Sequence, residues 1–372
     1  MASARATTVA QGFSNRLLLE MYDISLLDYI VNRDYEGEIN KVGSVLNILN
    51  IARISEKNYT GANLSVDDIY ENNAVLTIDK KKSFYWRELT IDAWASYIKD
   101  PHSTIVNQKA DERNKNMDEY VLGFYADVAA GNRVGDDYDT GTVTVDATTG
   151  LVTGSGTTFT AAMVGRGFKA TGHTKWYRVK TYTSATSIVI EDDYDDVATA
   201  YTGGAIGAGA AYIIEAAAPI AITTSNILAQ VGLLKLKLDK AEANDMNSVP
   251  AQGRFLVVPP EFEDIVTNGA SGITLHVPEV YEELVKKGML TQLKGFNVMV
   301  SNRLTGNNTD GYHCLAGHKN WITFAEKLLT ATIEEDLIGN FGAAFKDLFV
   351  YGAKVPDSRR GYAAELFATF TI

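Results

Sequence analysis

The chain has one cysteine, Cys314, in 372 residues. No disulfide can form within it, so burial and polar contacts must hold the fold, and a lone thiol fits synthesis in a reducing cytosol. Long apolar runs are missing: none approaches the ~18 residues a membrane-spanning helix needs, so no membrane partner is expected. The first sixteen residues, MASARATTVAQGFSNR, carry no apolar core of the kind a secretory signal has. Cationic charge is in deficit. Lys and Arg total 34 against 46 Asp and Glu, a formal net charge of −12. That excludes a general polyanion binder and leaves room only for a local basic patch. No basic stripe with interleaved aromatics appears, which argues against sequence-specific nucleic-acid recognition.

Catalytic signatures are also absent. There is no GxSxG, HExxH, CxxC or Walker A pattern. The glycine run Gly203, Gly204, Gly207 and Gly209 follows an acidic stretch rather than a strand, so it reads as a flexible linker and not as a phosphate loop. His313, Cys314 and His318 lie close together but offer no fourth zinc ligand. They read as a buried thiol with histidines at a strand end. The acidic run from Glu191 through Asp196 lacks the glycine and distal glutamate of an EF-hand loop and reads as a solvated turn. No cofactor, no metal and no enzymatic activity are expected.

Length and ordinary composition allow two or three domains. Residues 1–16 carry Arg5 and Arg16 and no acid, and read as a flexible arm. LLLEMYDISLLDYIV (17–31) has helical apolar spacing. Residues 74–79 and 84–91 both suit strands, with Lys80, Lys81 and Lys82 between them, so a long hairpin or extended loop with a basic tip is expected. The lysines read either as a solvated turn or as an arm reaching a neighbouring subunit. Residues 103–130 read as one long helix of roughly 40 Å, capped by Ser103, with a sparse apolar stripe and a polar middle. Such a thin seam suits a sheet surface or a subunit contact.

Composition shifts at residue 131. From there to 212 the chain is rich in Thr, Gly, Val and Asp, and reads as a small antiparallel β domain of five or six strands inserted into a host. Residues 222–243 return to helix. In VPAQGRFLVVPPEFEDIV (249–266), Arg254 to Val258 is a buried strand. Pro259 and Pro260 end it, and Glu261, Glu263 and Asp264 suit the start of a helix. Another short helix is expected at 278–287, and strands at 295–301, 311–315, 321–325, 328–334, 348–353 and 363–372.

This order of elements resembles the major capsid proteins of tailed bacteriophages, the Hong Kong 97-like fold. The match is carried by Leu76 to Asp79 and Trp86, the 103–130 helix, Leu238 to Ala241, Val249-Pro250, Gly253 to Pro260, Gly295 to Val298, Ser301-Asn302, His318 to Ala325, and the tail from Phe349. Residues 141–194 also resemble small β modules of phage virion proteins. The matching positions there are Val152 to Phe159, Val164-Gly165, Tyr177 to Val179 and Ser184 to Ile190.

The resemblance implies an α+β fold with an N-terminal arm (1–58), an E-loop hairpin (59–98), a peripheral domain with a spine helix (99–136) and an inserted β domain (137–214). A peripheral helix (215–250), an axial domain (251–345) and peripheral C-terminal strands (346–372) would follow. It implies an icosahedral shell of hexamers and pentamers, located in the virion and assembled in the host cytoplasm. That shell would enclose double-stranded DNA without reading its sequence, with scaffold, portal and decoration proteins as further partners. Arg5, Arg16, Lys80, Lys81, Lys82 and Arg87 are the expected inter-subunit contacts. Two alternatives remain: an encapsulin-like compartment with protein cargo, and a tail or decoration protein binding host glycan through the β insertion.

Overall fold

The computed structural model describes residues 25–35, 45–48, 74–89, 101–192, 200–240, 249–267, 292–334 and 341–371. In chain order these form a helical turn α1 (Leu27–Ile30), strands β1 (Val45–Ile48), β2 (Ala74–Thr77) and β3 (Lys80–Leu89), and the long helix α2 (Pro101–Leu122). Then come β4 (Arg133–Val134), β5 (Asp136–Tyr138), β6 (Thr142–Val145), β7 (Leu151–Ser155), β8 (Gly167–Ala170), β9 (Tyr177–Ser184) and β10 (Ser187–Glu191). β11 (Ile206–Ala210), β12 (Tyr212–Ala218) and β13 (Ile220–Ile222) lead into helix α3 (Ile227–Lys240), β14 (Arg254–Val258) and helix α4 (Pro260–Thr267). The chain ends with β15 (Gln292–Leu293), β16 (Phe296–Val300), β17 (Gly306–Asn307), β18 (Gly311–His318), β19 (Thr323–Glu334), β20 (Gly342–Lys354) and β21 (Ala363–Phe370). It divides into two compact units, Met1–Asp118 with Ile322–Lys354, and Glu119–Trp321 with Val355–Ile372.

In the first unit, β19 and β20 form a long antiparallel hairpin running from Thr323↔Lys354 to Glu334↔Ala344. β3 joins the other side of β20, from Lys80↔Tyr351 to Leu89↔Gly342. β2 pairs instead with β1. The expected hairpin of 74–79 with 84–91 is therefore not formed. Its two arms lie in different sheets, and Lys80 to Lys82 begin an edge strand rather than cap a turn. Only Ile78 and Asp79 separate β2 from β3. Leu46, Ile48, Leu76 and Ile78 pack with Ala325 and Val350 in a small core. Gly352 permits that contact: a Cβ there would lie 2.5 Å from the Thr77 carbonyl oxygen.

The expected 103–130 helix is shorter. Its α-helical part is the 22 residues Pro101–Leu122, about 33 Å long at ~1.5 Å per residue. Gly123–Asp127 tightens to 3-10 geometry and Val128 is extended. Gly123, a weak helix former, stands where the α-helix gives way. Among the described residues of the helix expected at 17–31, Leu27–Ile30 is helical, with Leu27 and Ile30 buried. Residues 17–24, and the helix expected at 278–287, lie outside the described residues.

In the second unit, β5 to β12 make an eight-stranded sheet ordered β11-β6-β7-β10-β9-β8-β12-β5. Its registers close it. β5 and β6 are one bent run, β11 and β12 another, and the two pair along their length: Asp136↔Ala218, Tyr138↔Ile214, Val143↔Ala210 and Val145↔Ile206. Pairing then passes from β6 through β7, β10, β9 and β8 back to β12. The eight segments are six continuous runs in a closed antiparallel barrel, which leaves no open edge for a foreign strand. Inward residues alternate as a half-buried strand requires: Val143, Val152, Phe168, Val179, Ile188 and Ile214 are at most 1% exposed. Each such side chain contributes about 1.5–3 kcal/mol on burial. The glycine run is not a linker, because Ile206–Ala210 is the strand that closes the barrel.

The same unit holds a mixed sheet ordered β13-β21-β18-β14-β16-β15. β14 is buried at every position, pairing parallel with β16 and antiparallel with β18. The strand-to-helix turn at Pro259 and Pro260 is as expected, with Glu261 and Glu263 in the first turn of α4. Phe262, Ile265 and Val266 face inward. α3 buries Ile227, Val231, Leu234 and Leu238 and lies against β21.

Candidate assembly strand and two charge clusters

β3 carries the cationic residues singled out in the sequence. Lys81, Lys82 and Arg87 are exposed and Lys80 is half-buried. Because side chains alternate along a strand, Lys81, Ser83, Tyr85 and Arg87 share one row, and Tyr85 is 65% exposed. Among the described residues no strand pairs with the outer edge of β3. Lysines on an edge strand are a usual guard against unwanted pairing. Arg5 and Arg16 lie outside the described residues.

The opposite row of β3 faces α2, and here the first charge cluster explains how so polar a helix docks. Lys109 Nζ lies 5.2 Å from the Phe84 ring centre and 4.9 Å from that of Trp86. One turn on, Arg113 lies 4.2 Å from the Phe349 ring and 5.7 Å from Phe84. Trp86 stacks on Phe345 across the strand pair at 4.2 Å. Arg113 also donates to Asp347 Oδ2 at 2.6 Å, and Asp347 Oδ1 accepts the Phe84 backbone N–H at 2.9 Å. Desolvation pushes the Lys109 pKa down; the Asp347 carboxylate opposes this and Arg113 adds to it. The helix thus sits on the sheet through cations over aromatic faces, each contact contributing about 0.5–2 kcal/mol.

The second cluster is in the other unit and is centred on Glu365, which is fully buried in β21. Arg166, at the entry to β8, donates to it twice, Nη1 to Oε2 at 2.8 Å and Nη2 to Oε1 at 2.6 Å. His313 Nδ1 lies 2.6 Å from Oε1, and Arg133 Nε lies 3.8 Å from Oε2. Burial alone would raise the Glu365 pKa. Arg166, the His313 bond and Arg133 outweigh it and hold the group down at about 2. An ionised carboxylate only accepts, so His313 Nδ1 carries the proton. The imidazole is clamped between Tyr125 at 3.8 Å and Phe367 at 4.4 Å, both rings stacked. Arg133 donates its hydrogen bonds to the Val128, Gly165 and Ala126 carbonyls, with Nε on Val128. The cluster ties the barrel to the mixed sheet.

Arg254 opens β14 and is 2% exposed. It reaches Asp239 at 2.8 Å and donates to the Val249 and Pro250 carbonyls. It therefore joins the end of α3 to the entry of β14. Cys314 is buried and its thiol is pushed well above the ordinary range by desolvation. His313 serves Glu365, and His318 stands at the end of β18 with its pKa lowered by burial, Lys319 and Arg254. Among the described residues no group of His, Cys, Asp and Glu is arranged to hold a metal ion. Glu191 is not solvated as expected. It is 3% exposed and lies 3.3 Å from Lys180 and 4.0 Å from Arg178. Asp193 to Asp196 lie outside the described residues.

The sequence reading missed Glu365, Arg133, Arg166, Lys109 and Arg113. One signal was available: Glu365 is the one charge in the run AAELFATF, apolar but for Thr369, and a charge in a buried strand needs a partner.

A family model described as phage capsid protein matches residues 183–364, just under half of the chain. No curated protein matches by sequence. Among solved structures, one from Mycobacterium phage Che8 is 19% identical, covering 96% of this chain and 95% of its own, with a TM-score of 0.58. The capsid structure of cyanophage P-SCSP1u is 14% identical, covering 96% and 92%, at 0.55. The mature capsid of bacteriophage PhiM1 is 10% identical, covering 96% and 91%, at 0.53. The fold of this chain is that of phage capsid proteins.

Proposed function

We propose that the chain is the major capsid protein of a tailed phage, of the Hong Kong 97-like kind, whose copies assemble as hexamers and pentamers into the icosahedral shell around double-stranded DNA. The reading rests above all on the extent of the likeness. It runs over 96% of this chain and 92% of the P-SCSP1u capsid chain, so the match is to a whole shell subunit rather than to one shared domain.

On this reading α2 is the spine helix and the barrel is an insertion projecting from the shell. Lys80, Lys81, Lys82 and Arg87 on β3, with Arg5 and Arg16 of the N-terminal arm, contact neighbouring subunits. The chain acts by shape, and scaffold, portal and decoration proteins are its other partners. The test is expression of the full chain alone, followed by negative-stain microscopy and gradient sedimentation. Closed shells or capsomers are expected; a chain that stays monomeric at high concentration overturns the reading. Nuclease-protected DNA in particles from infected cells separates a phage head from a protein-cargo compartment.

A further inference from the structure

The barrel core carries a polar relay of His173 and Tyr201. Tyr201 is 7% exposed and its ring enters the barrel core. Two glycines make room for it: a Cβ on Gly150 would lie 2.8 Å from Tyr201 Cβ, and one on Gly203 would lie 2.3 Å from its hydroxyl. The hydroxyl donates to the Gly204 carbonyl at 2.8 Å and meets His173 Nε2 at 2.9 Å. On its other side, His173 Nδ1 faces the Ala170 N–H at 3.4 Å.

These contacts fix every proton. The Ala170 N–H needs an acceptor, so Nδ1 must be bare. Nε2 then carries the hydrogen and donates to Tyr201, whose own hydrogen goes to Gly204. Burial pushes the Tyr201 pKa up to about 12, so its hydroxyl stays a donor. The relay works only with a neutral imidazole. A second proton would sit on Nδ1, head to head with the Ala170 N–H, among Phe168, Tyr177 and Tyr201.

We propose that His173 and Tyr201 form an acid-operated latch: protonation of His173 releases Tyr201, frees residues 201–205 and the following β11, and opens the barrel where β11 meets β6. The charged and titratable groups around His173 are Tyr177 from β9, Tyr201 from the strap itself, Lys175 and Asp192. Lys175 lies 5.3 Å from the Tyr177 ring and pairs with Asp192 at 2.9 Å. Asp192 also accepts from the backbone N–H and hydroxyl of Thr202. Asp192 is thus already engaged and does not serve as counter-ion to a charged His173.

Burial lowers the His173 pKa, against an opposing contribution from the Gly204 carbonyl. A base whose folded pKa is depressed lends stability that is whole above its ordinary pKa near 6.5 and is lost as pH falls from there through the folded value. The latch needs only the barrel, and it stands whether or not the chain forms shells.

The test is amide hydrogen exchange of the full chain at pH 7.5 and 5.5, corrected for intrinsic rates. Exchange at residues 201–210 should rise several-fold at the lower pH, toward the limit of about tenfold that one imidazole released near 6.5 allows, while amides of β7 and β10 stay protected. In His173→Gln the response should vanish. Equal protection of the strap at both pH values, or an unchanged response in His173→Gln, overturns the proposal. Should that variant fail to fold, Tyr201→Phe serves, since it keeps the titrating ring and removes the link. Fast, pH-independent exchange of the strap is then expected, and a wild-type pH response overturns the latch.

Discussion

Arg166 and Glu365 stand 199 residues apart in sequence and meet through two parallel hydrogen bonds, at 2.8 and 2.6 Å, with both side chains almost wholly buried. Arg166 precedes a barrel strand and Glu365 is in the last strand of the mixed sheet. A bidentate guanidinium–carboxylate pair fixes orientation as well as distance. The barrel is therefore fastened to the mixed sheet at a defined angle.

Removing one member of such a pair leaves the other charge buried alone. Glu365→Gln should destabilise the unit by about 3–5 kcal/mol, while Arg166→Met combined with Glu365→Leu should cost less than the single change. Denaturant unfolding of the unassembled chain, followed by barrel and sheet probes, measures both. A single variant no less stable than the double would contradict the account.

Acid should act on the same pair. Glu365 is held at about 2, below its ordinary value of 4.5. The stability this lends is complete above the ordinary value and drains away as pH falls from there toward 2, to an extent on the order of 3 kcal/mol. In Glu365→Gln the pH dependence of unfolding over that window should flatten.

Elements whose determinants are local could be read from the sequence. Arg254 to Val258 is a β-branched run stopped by two prolines, and the strand and helix boundaries follow from those residues alone. Barrel strands alternate between glycine and serine turns, so most could be placed without knowing their partners. Partner choice was another matter. Residues 74–79 and 84–91 are both good strands, and nothing in them says that one pairs with Val45–Ile48 and the other with Gly342–Lys354. Glycine-rich Ile206–Ala210 looked like a linker because its strand character comes from closing the barrel, a long-range property. The charge clusters were hidden for the same reason. Lys109 and Arg113 belong to a polar stretch, and only the aromatic row of another element makes them a docking face.

That docking face gives a further prediction. Arg113→Ala removes an ion pair and a stacked cation together, and should loosen α2 from its sheet by about 2–3 kcal/mol. Arg113→Lys should recover only part of this, because a lysine keeps the charge and loses the planar fork. Exchange protection along Pro101–Leu122 is the readout, and equal protection in wild type and Arg113→Ala would count against the arrangement.

Arg254→Met keeps the volume and removes three contacts, to Asp239, Val249 and Pro250. Exchange at the C-terminal end of α3 and at Val249 should accelerate at least tenfold, while Phe255 to Val258, held by β16 and β18 on either side, should remain protected. A uniform loss of protection through β14 would mean that Arg254 supports the whole sheet rather than the junction.

Charge reversal on β3 tests folding and assembly separately. Lys81, Lys82 and Arg87 are exposed and lie on a strand whose other edge carries no partner among the described residues. Exposed charges contribute little to the stability of their own chain, about 0–1 kcal/mol each. Changing all three to Glu should therefore leave the unfolding midpoint of the unassembled chain nearly unmoved. If these residues meet acidic surface on neighbouring copies, as the net charge of −12 favours, the same change places like charges against each other and should block particle formation. Salt bears on the same contact from the other side. Screening weakens exposed pairs as the Debye length shortens from about 10 Å at 0.1 M toward 3 Å at 1 M, so wild-type assembly should slow with salt. Residual assembly of the triple variant should instead improve, because what is being screened there is repulsion. Gradient sedimentation at the two ionic strengths distinguishes the cases, and a triple variant that assembles like wild type at low salt would remove β3 from the interface.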